Sequence, residues 1–592
     1  MPKLTRRWLL PAVVAVWTAA CTSKPGQYAG PVKDPDTYTY LTISDVDSLD
    51  PGYAYDTASH LLILNLYEPL VAYDGPSTEK LVALLAAQVP TAGNGLISKD
   101  GRAYTFPIRR GVRFQDGSEM TPEDVKYSIQ RFMLQDRDSG PSSLLLEPLL
   151  GYPATRENGK IKPSAFRDAD RAVQVKGGSV ILKLPRANAS ILSILATWSP
   201  IVSKKWAAAH GDWDGSEETW QKHNNPNKEN SYLFDHANGT GAFYLERWDK
   251  NNKMLILARN ESYWRKPARL KRVVIKGVDE FATRKLKLQV GDADGIYADF
   301  SVRGQVESIP GVEIIDNLPT VEMNPIVYFT FDINPSANKD IGSGRLDGRG
   351  IPANFFQDKD VRKGFAYAMD YGAFIRDVFR GQATQATGGI PKSLPGNNPG
   401  QKTYTHDLDK AAGHFRKAWG GAVWDKGFKL TLLFNSGNVP RQTMSQILKR
   451  NIELINPKFK LDIRGVQWSN FLDGAKNHKF PMFVLGWNAD YPDPHNFAFP
   501  LYHSKGNYPA MQRFKNGEMD RLVEAGLKET DLHKRKKIYY RLQALAAEEA
   551  PNIVLVDTVK YRTQRRWVRG WYHNPIFPDS PYGSYFYPIY KE

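Results

Sequence analysis

The chain has 592 residues, too many for a single hydrophobic core, so we expect two or more domains. A hydrophobic fraction of 41% and a charged fraction of 24% are ordinary for a globular protein. The formal net charge of +16 does not indicate nucleic-acid binding, because lysine and arginine are spread along the whole chain and interleaved with acidic residues.

The N-terminal 21 residues have the pattern of an export signal, and adjacent arginines leave both the general and the twin-arginine routes open. Basic residues precede roughly eleven apolar residues, a run too short to span a bilayer. The run ends in TAAC, which resembles a bacterial lipobox with Thr18 where leucine is typical. Cys21 is the only cysteine, so no internal disulfide can form. We expect lipid attachment at Cys21 and an exported protein, periplasmic or at the cell surface, anchored to a membrane.

The first elements after this signal are a tether, a strand and a helix. Residues 22–36 contain several Gly, Pro and Ser residues and predict a flexible tether. Residues 38–43 are β-prone, and residues 60–66 suit a buried helix.

The clearest local prediction is a strand, a turn and a capped helix. Apolar residues alternate at positions 104, 106 and 108, and Pro107 restricts this strand to a sheet edge. Thr121 is a good N-cap, Pro122 fits the first helical position, and Asp124 completes a capping box.

Later segments alternate between helices and strands, which indicates an α/β architecture. The predicted helices include residues 361–369, 446–455 and 530–550, and the predicted strands include residues 459–463 and 480–485. The Gly-rich residues 341–350 are predicted to be an exposed insertion and not a phosphate loop, because no strong strand precedes them and no helix follows immediately.

The sequence carries no signature of an active site or metal centre. It contains no HExxH zinc motif, no GxSxG elbow and no Walker loop, and its 11 histidines are scattered. With the one cysteine assigned to an anchor, a cysteine-rich metal site is excluded. We therefore expect no enzymatic activity, cofactor or metal. An exported hydrolase stays open as an alternative, since catalytic groups are assembled in space and not in sequence.

Several sequence blocks resemble one known family. In chain order they are LYEPL at 66–70, GVRFQDGSEMTPEDVKYS at 111–128, GTGAFYL at 239–245, ARNESYW at 258–264, DVRKGFAYAMD at 360–370 and GWNADYPDP at 486–494. They are similar to blocks of the large extracellular solute-binding proteins (family 5) of ABC importers, the oligopeptide- and dipeptide-binding type. With its flanking pattern, the resemblance covers about residues 38–570.

The resemblance implies an α/β, two-lobed periplasmic-binding-protein fold with a hinge between the lobes and an extra subdomain inserted into the first lobe. Lobe I would comprise residues 37–80, 216–317 and 556–592. The inserted subdomain would comprise residues 81–215, and lobe II residues 318–555. The lobes would close around the ligand by hinge motion.

The resemblance also implies a ligand site centred on the last block. Asp490 keeps the spacing of the residue that pairs with the α-ammonium group of a bound peptide, through charge-assisted hydrogen bonds. Trp487 would offer a flat wall, Gly486 would let the ligand backbone approach, and Asn488 lies in the same block. A turn-capping role for Asp490 and a core role for Trp487 are the structural alternatives.

Two further residues are predicted at the site. Arg441 lies close to where dipeptide binders place an arginine for the ligand carboxylate, although a solvated arginine near a helix start is the competing interpretation. Glu68 is predicted at the cleft edge, with a surface carboxylate as its alternative.

The resemblance implies a monomeric substrate-binding lipoprotein that captures peptides and delivers them to the transmembrane subunits of an ABC permease. It would touch the membrane through the lipid on Cys21 and would bind no nucleic acid. Another solute stays open: the aromatic fraction of 12% would suit an oligosaccharide, and a metal chelate is a further possibility. A sensing or adhesion role would leave no trace in the sequence.

Overall fold

The structure is a computed structural model, and it describes residues 32–592 except 43–45, 56, 138–139, 158, 279, 299, 436–437, 467 and 578–583. The predicted signal segment, Cys21 and positions 22–31 of the predicted tether lie outside the described residues. No helix within the described residues is long and apolar enough to cross a membrane.

The β-strands of the described chain are short, apart from β13 and β19. Their bounds are β1 Thr37–Thr42, β2 Val71–Tyr73, β3 Leu81–Ala83, β4 Ala103–Pro107, β5 Arg156–Glu157, β6 Lys160–Ile161, β7 Val173–Lys176, β8 Ser179–Lys183, β9 Phe243–Asp249, β10 Met254–Arg259, β11 Arg272–Gly277, β12 Gly295–Ile296, β13 Val312–Phe329, β14 Thr384–Gln385, β15 Phe428–Asn435, β16 Phe459–Val466, β17 Met482–Asn488, β18 Asn552–Val554, β19 Val556–Arg565, β20 Val568–Arg569 and β21 Tyr590–Lys591.

The α-helices alternate with these strands. Their bounds are α1 Thr57–Leu66, α2 Pro122–Gln135, α3 Ser143–Leu150, α4 Ala165–Ala172, α5 Ile191–Trp198, α6 Lys204–Ala209, α7 Phe281–Val290, α8 Arg303–Val306, α9 Lys359–Ala368, α10 Tyr371–Phe379, α11 Leu408–Lys417, α12 Ala422–Lys426, α13 Val439–Ile455, α14 Trp468–Lys476, α15 His495–Tyr502, α16 Asn507–Gln512, α17 Gly517–Lys528 and α18 Leu532–Glu549.

One long mixed sheet runs through the molecule, in the order β16-β15-β17-β13-β19-β12-β1-β11-β10-β9. Strands β13 and β19 pair antiparallel at its centre, from Val312 opposite Arg565 to Met323 opposite Asp557. The C-terminal part of β13 pairs with β17, while β19 also pairs with β12. These two strands therefore connect two lobes. The first lobe is built on strands β12, β1, β11, β10 and β9, and the second on strands β16, β15 and β17.

A smaller sheet, in the order β4-β8-β7, lies within the predicted inserted subdomain. Strand β4 is the last strand of this sheet, as Pro107 predicted, and an isolated bridge between Ile97 and Tyr104 covers its other side. Helix α2 begins at Pro122, and Thr121 and Asp124 form the predicted capping box, with each side chain accepting from the other residue's backbone N–H. The domain boundaries themselves stay a prediction.

The apolar core of the second lobe is separate from the rest. It contains Phe365 and Phe428, both fully buried and packed against each other with ring centroids 5.8 Å apart. The largest apolar cluster instead spans the first lobe, the smaller sheet and the inner face of the second lobe, from Tyr67 through Leu145 to Phe483. Because this cluster is continuous, the two lobes are in contact in this structure.

Most predicted elements are confirmed, with shifted ends. The predicted helix at 446–455 begins earlier, at Val439, because Asn438 caps it and Pro440 occupies its first turn. The predicted strand at 480–485 is β17, which runs on through the Gly486-Trp487-Asn488 segment. Residues 341–350 form a loop closed by a bridge between Gly342 and Gly350, and they precede no α-helix directly.

Candidate functional site

A cavity of about 230 Å³ lies where the two lobes meet. Its wall takes Tyr55 from the first lobe and Glu147 and Arg186 from the region around the smaller sheet. The second lobe contributes Trp487, Asp490 and His495. Asp490 and Trp487, two of the residues predicted for the ligand, therefore line the same space.

Asp490 lies in the loop between β17 and α15, half-buried in the cavity wall. The Tyr55 hydroxyl donates to its Oδ1 at 2.7 Å, and Asn496 Nδ2 donates to its Oδ2 at 3.1 Å. Both partners are neutral, and no cationic side chain among the described residues forms an ion pair with Asp490. Burial raises the pKa of this carboxyl above its ordinary value, and the two hydrogen bonds offset only part of that rise.

Asp493, three residues further on, has the opposite environment. It is buried, and Arg535 of α18 donates to both its oxygens at 2.7 Å. Burial on its own would raise the pKa of Asp493, but the charge and hydrogen bonds of Arg535 outweigh it and hold the pKa below its ordinary value. Asp493 is therefore a satisfied structural anion, while Asp490 lines the cavity without a cationic partner among the described residues.

Asn496 fixes the positions of the two cavity-lining residues relative to each other. Its Oδ1 accepts from the Asp490 backbone N–H at 2.9 Å and from Trp487 Nε1 at 3.2 Å. The Trp487 ring also meets Tyr508 edge-on, with ring centroids 6.0 Å apart and an interplanar angle of 87°. The Trp487 side chain is thus fixed in the cavity wall by its contacts with Asn496 and Tyr508.

A glycine is required at position 486 because the side chain of Asn324 packs against it, which the sequence did not reveal. A Cβ at this position would lie 2.5 Å from Asn324 Oδ1, so the space that a ligand backbone was expected to use is filled by a neighbouring side chain. The Gly486 carbonyl also accepts from the Tyr508 hydroxyl. Asn488 has an exposed side chain at the end of β17, opposite Glu322 of β13.

Arg441 is buried behind this wall and does not line the cavity. Its guanidinium donates to Asn435 Oδ1 at 2.7 Å and to Asn324 Oδ1 at 3.1 Å. No carboxylate of the described chain pairs with it, and burial lowers its pKa. Because Asn324 also packs against Gly486, Arg441 supports the strand that carries Trp487.

Glu68 lies in the interior of the first lobe, which corrects its predicted position at the cleft edge. It is 3% exposed and accepts hydrogen bonds from Thr240 Oγ1, the Tyr263 hydroxyl and Trp264 Nε1, at 2.8, 2.5 and 2.7 Å. All three donors come from two other family-like blocks, GTGAFYL and ARNESYW. Glu68 therefore joins these blocks to each other, and it belongs to the core.

Several residues at the cavity were not predicted. Tyr55 and Trp198 approach Asp490 from distant segments, with Trp198 Nε1 donating to the Asp490 carbonyl at 2.5 Å. His495 is buried, and burial lowers its pKa to about 4, so its imidazole is neutral at physiological pH. Among the described residues, no group of His, Cys, Asp and Glu side chains is arranged to hold a metal ion.

Comparisons with known proteins agree with this architecture. Heme-binding protein A of Haemophilus influenzae is 24% identical to the chain over 564 residues, which cover 93% of the chain and 92% of that protein. The oligopeptide-binding protein OppA of Bacillus subtilis is 23% identical over 576 residues, which cover 93% of each. The structure of the periplasmic binding protein DppA from Helicobacter pylori in complex with the peptide STSA superimposes with a TM-score of 0.69 at 21% identity, covering 94% of the chain and 98% of that structure.

These likenesses confirm the predicted α/β fold of two lobes, since the solved neighbours are periplasmic binding proteins of this type. The family model for bacterial extracellular solute-binding proteins, family 5 (middle), matches residues 80–509, more than half of the chain. The protein therefore belongs to the family 5 bacterial extracellular solute-binding proteins.

Proposed function

We propose that the protein captures peptides between its two lobes and delivers them to the permease of an ABC importer. The observation that carries this proposal is the position of the Asp490 carboxyl group, which lines the cavity with two neutral hydrogen-bond donors as partners. The ammonium group of a peptide N-terminus would supply the missing positive charge. The relatives point the same way: one is named an oligopeptide-binding protein, and one structural neighbour holds a peptide.

The chemistry of the two groups is complementary. An ionised carboxylate has about four lone-pair sites, and Tyr55 and Asn496 occupy two of them. An ammonium group has three donors, and its hydrogen bonds to a carboxylate are roughly twice as strong as those between neutral groups. Trp487, held by Asn496 and Tyr508, would offer a flat apolar face to the first side chains of the peptide.

The N-terminal sequence supports a location outside the membrane, where such a protein would meet its permease. Lipidation of Cys21 would hold the protein on the outer face of a membrane, with residues 22–36 as the tether, close to the permease. In this role the protein acts as a monomer without catalysis, cofactor or metal. Mass spectrometry of the membrane-extracted protein tests this part, because a diacylglycerol-modified N-terminus at Cys21 is expected and an unmodified thiol would contradict it.

The experiment for the binding site compares Asp490→Asn with Asp409→Asn, an exposed position in α11. Isothermal titration with a library of di- to tetrapeptides should give affinities at least about tenfold weaker for Asp490→Asn and unchanged for Asp409→Asn. N-acetylation of the peptides should weaken binding to the parent protein by a similar factor. Equal affinity of the parent and Asp490→Asn for free peptides would overturn the assignment.

A second candidate ligand is a metal chelate, which one specific observation favours. His495 lines the cavity with a neutral imidazole, and its buried Nδ1 has no hydrogen-bond partner among the described residues. A neutral imidazole is a common metal ligand. One relative is also named a heme-binding protein. Native mass spectrometry of the protein purified from rich medium separates the two candidates, since peptides give a ladder of masses and a chelate gives one mass with a metal isotope pattern.

A further inference from the structure

We propose that the second lobe carries a separate binding site for a short-chain monocarboxylate such as acetate or propionate, in a cavity beside β18 where Asn552 is the buried donor. This site lies outside the cavity assigned to the peptide. The inference therefore goes beyond the proposed function and does not depend on it.

The second cavity has a volume of about 50 Å³ and lies where two apolar clusters meet. Tyr371 and Ile553 of its wall belong to the core of the second lobe, whereas Tyr502 and Ala546 belong to the largest apolar cluster. The described residues that line it form a separate set from those that line the cavity at the lobe interface. A ligand bound here would therefore not compete directly with one bound at Asp490.

The wall of this cavity includes two short strands that extend the central pair of the sheet. Residues Asn552, Ile553 and Val554 make up β18, which pairs with β13. Gln385 of β14 lies opposite Val556 of β19. A molecule that contacts both short strands would bind the folded protein and not the unfolded chain, so we expect it to stabilise the fold.

Asn552 supplies a hydrogen-bond donor that the protein itself does not satisfy. Its side chain is 8% exposed, and its Nδ2 has no hydrogen-bond partner among the described residues. A buried N–H without an acceptor costs stability, and buried polar groups in native proteins are nearly always paired. An acceptor oxygen of a ligand in the adjacent cavity would remove that cost.

Other polar side chains of the same wall are already paired within the protein. Gln543 Nε2 donates to the Gly396 carbonyl at 2.7 Å, and Gln385 Nε2 donates to the Tyr404 carbonyl at 2.5 Å. The Tyr404 hydroxyl donates to a backbone carbonyl of α18 at 2.6 Å. The amide of Asn552 is therefore the buried group that a ligand would meet.

The size and charge of the cavity define the class of ligand. Tyr371, Tyr404 and Tyr502 give it aromatic walls, which suit a short hydrocarbon chain. Lys402 is an exposed residue of the wall and forms no ion pair with any described residue, so its charge favours an anion. A volume of about 50 Å³ holds roughly three or four water-sized groups, which matches acetate or propionate and excludes a peptide. One carboxylate oxygen would accept from Asn552 Nδ2, and the other would face the Lys402 ammonium group.

The test uses the protein without residues 1–21 and saturation-transfer NMR titrations with sodium acetate, propionate and pivalate at constant ionic strength. We expect acetate and propionate to bind with dissociation constants on the order of 1 mM, and pivalate, whose branched chain is too wide, not to bind. Propionamide should bind at least about tenfold more weakly than propionate, because it offers no charge to Lys402. Bound propionate should also raise the temperature of thermal unfolding.

Two variants test the assigned residues. Asn552→Leu and Lys402→Gln should each weaken propionate binding by about tenfold. Lys537→Gln changes an exposed lysine of α18 outside the cavity and should bind as the parent does. Asn552→Leu should unfold at the same or a higher temperature, since a leucine of similar shape leaves no polar group unpaired.

Several results would overturn the inference. A parent protein that binds neither acetate nor propionate would mean that the cavity holds water only. Propionate binding as tight as the parent's in Asn552→Leu or in Lys402→Gln would mean that the carboxylate is not held by that residue. Equal affinity for propionamide and propionate would contradict the anionic class of ligand. A lower unfolding temperature of Asn552→Leu would show that its amide has a partner in the folded protein. Each of these outcomes leaves the peptide-binding proposal intact, because Asp490 and its partners are unchanged in every variant.

Discussion

The hydroxyl of Tyr55 donates to Asp490 Oδ1 at 2.7 Å, joining the two lobes at the carboxylate proposed to bind the ligand. The two residues are 435 positions apart. Trp198 adds a second contact from the first-lobe side, through Nε1 to the Asp490 carbonyl, and its ring meets Tyr55 edge-on at 5.4 Å between centroids. The loop that carries Asp490 is therefore part of the ligand site and part of the contact that closes it.

Tyr55→Phe should weaken peptide binding and shift its dependence on pH. The Tyr55 hydrogen bond lowers the pKa of Asp490, so its loss raises a pKa that burial has already raised. Because an ammonium group pairs with the ionised carboxylate, affinity falls as the pH drops through this pKa, and in the variant that fall begins at higher pH. A hydrogen bond to a charged group contributes about 1.5–3 kcal/mol. Because the Tyr55 hydrogen bond is present with and without the peptide, only part of that value is lost from binding, and we expect roughly threefold to tenfold weaker binding at neutral pH.

Isothermal titration between pH 4.5 and 7.5 measures both effects of Tyr55→Phe. Tyr244→Phe is the matched control, since Tyr244 is an exposed tyrosine of β9 away from the cavity. An unchanged pH profile in Tyr55→Phe would show that its hydroxyl does not act on Asp490 in solution.

Arg535→Gln should destabilise the protein, because it leaves Asp493 buried without its cation. Asp493 and Arg535 are 4% and 6% exposed and share two hydrogen bonds of 2.7 Å. Breaking one partner of such a buried pair costs about 3–5 kcal/mol of unfolding free energy. Arg541 of the same helix pairs with Glu518 at the surface, so Arg541→Gln should cost about 0–1 kcal/mol. Urea unfolding of the two variants measures the difference, and equal losses would contradict this account of Asp493.

Local features of the fold could be predicted because their physical causes are local. The capping box of Thr121 and Asp124 and the edge position that Pro107 imposes depend on residues within a few positions of each other. The position of Asp490 in the cavity wall was expected for a different reason, a resemblance in the spacing of one block, and its role in binding a ligand stays a prediction. The start of α13 was predicted too late, although Asn438 and Pro440 carried the usual signals of a helix N-terminus.

The partners of the site could not be predicted, since they arrive from distant segments. Nothing near Tyr55 or Arg186 in the sequence connects either residue with Asp490. Glu68 was placed wrongly for the same reason. It lies within a family-like block and was expected at the cleft, but hydrogen-bond donors at least 172 positions away enclose it in the core. Sequence blocks thus indicated which segments matter, while burial and hydrogen bonding decided what each residue does.

Asp557 should make the stability of the protein depend on pH. It lies on β19, where Oδ1 accepts from the Lys392 backbone N–H at 3.0 Å and the buried Oδ2 has no partner among the described residues. Burial raises its pKa to about 6, against the ordinary 3.8. The folded protein then binds this proton more tightly than the unfolded chain, so the contribution of Asp557 to stability increases as the pH falls through 6 towards 4.

Asp557→Asn removes this titration. The unfolding free energy of the parent minus that of the variant should rise by about 2–2.5 kcal/mol between pH 7.5 and pH 4, given a shift of about two pKa units. Urea unfolding across this range measures it, with Asp409→Asn as the control whose difference should stay flat. A difference that falls on acidification would mean that the Asp557 carboxylate is stabilised by a partner in solution.

Gly486→Ala should destabilise the protein and weaken ligand binding together. Its Cβ would lie 2.5 Å from Asn324 Oδ1, so Asn324 or β17 must move, and β17 carries Trp487. Overpacking of this kind costs about 1–3 kcal/mol. Gly413 in α11 is the matched control, because nothing lies within 4 Å of a Cβ there and alanine favours a helix over glycine by about 1 kcal/mol. Thermal unfolding should therefore move in opposite directions for the two variants. A Gly486→Ala protein as stable as the parent would show that Asn324 can move aside without cost and that the packing behind Trp487 is loose.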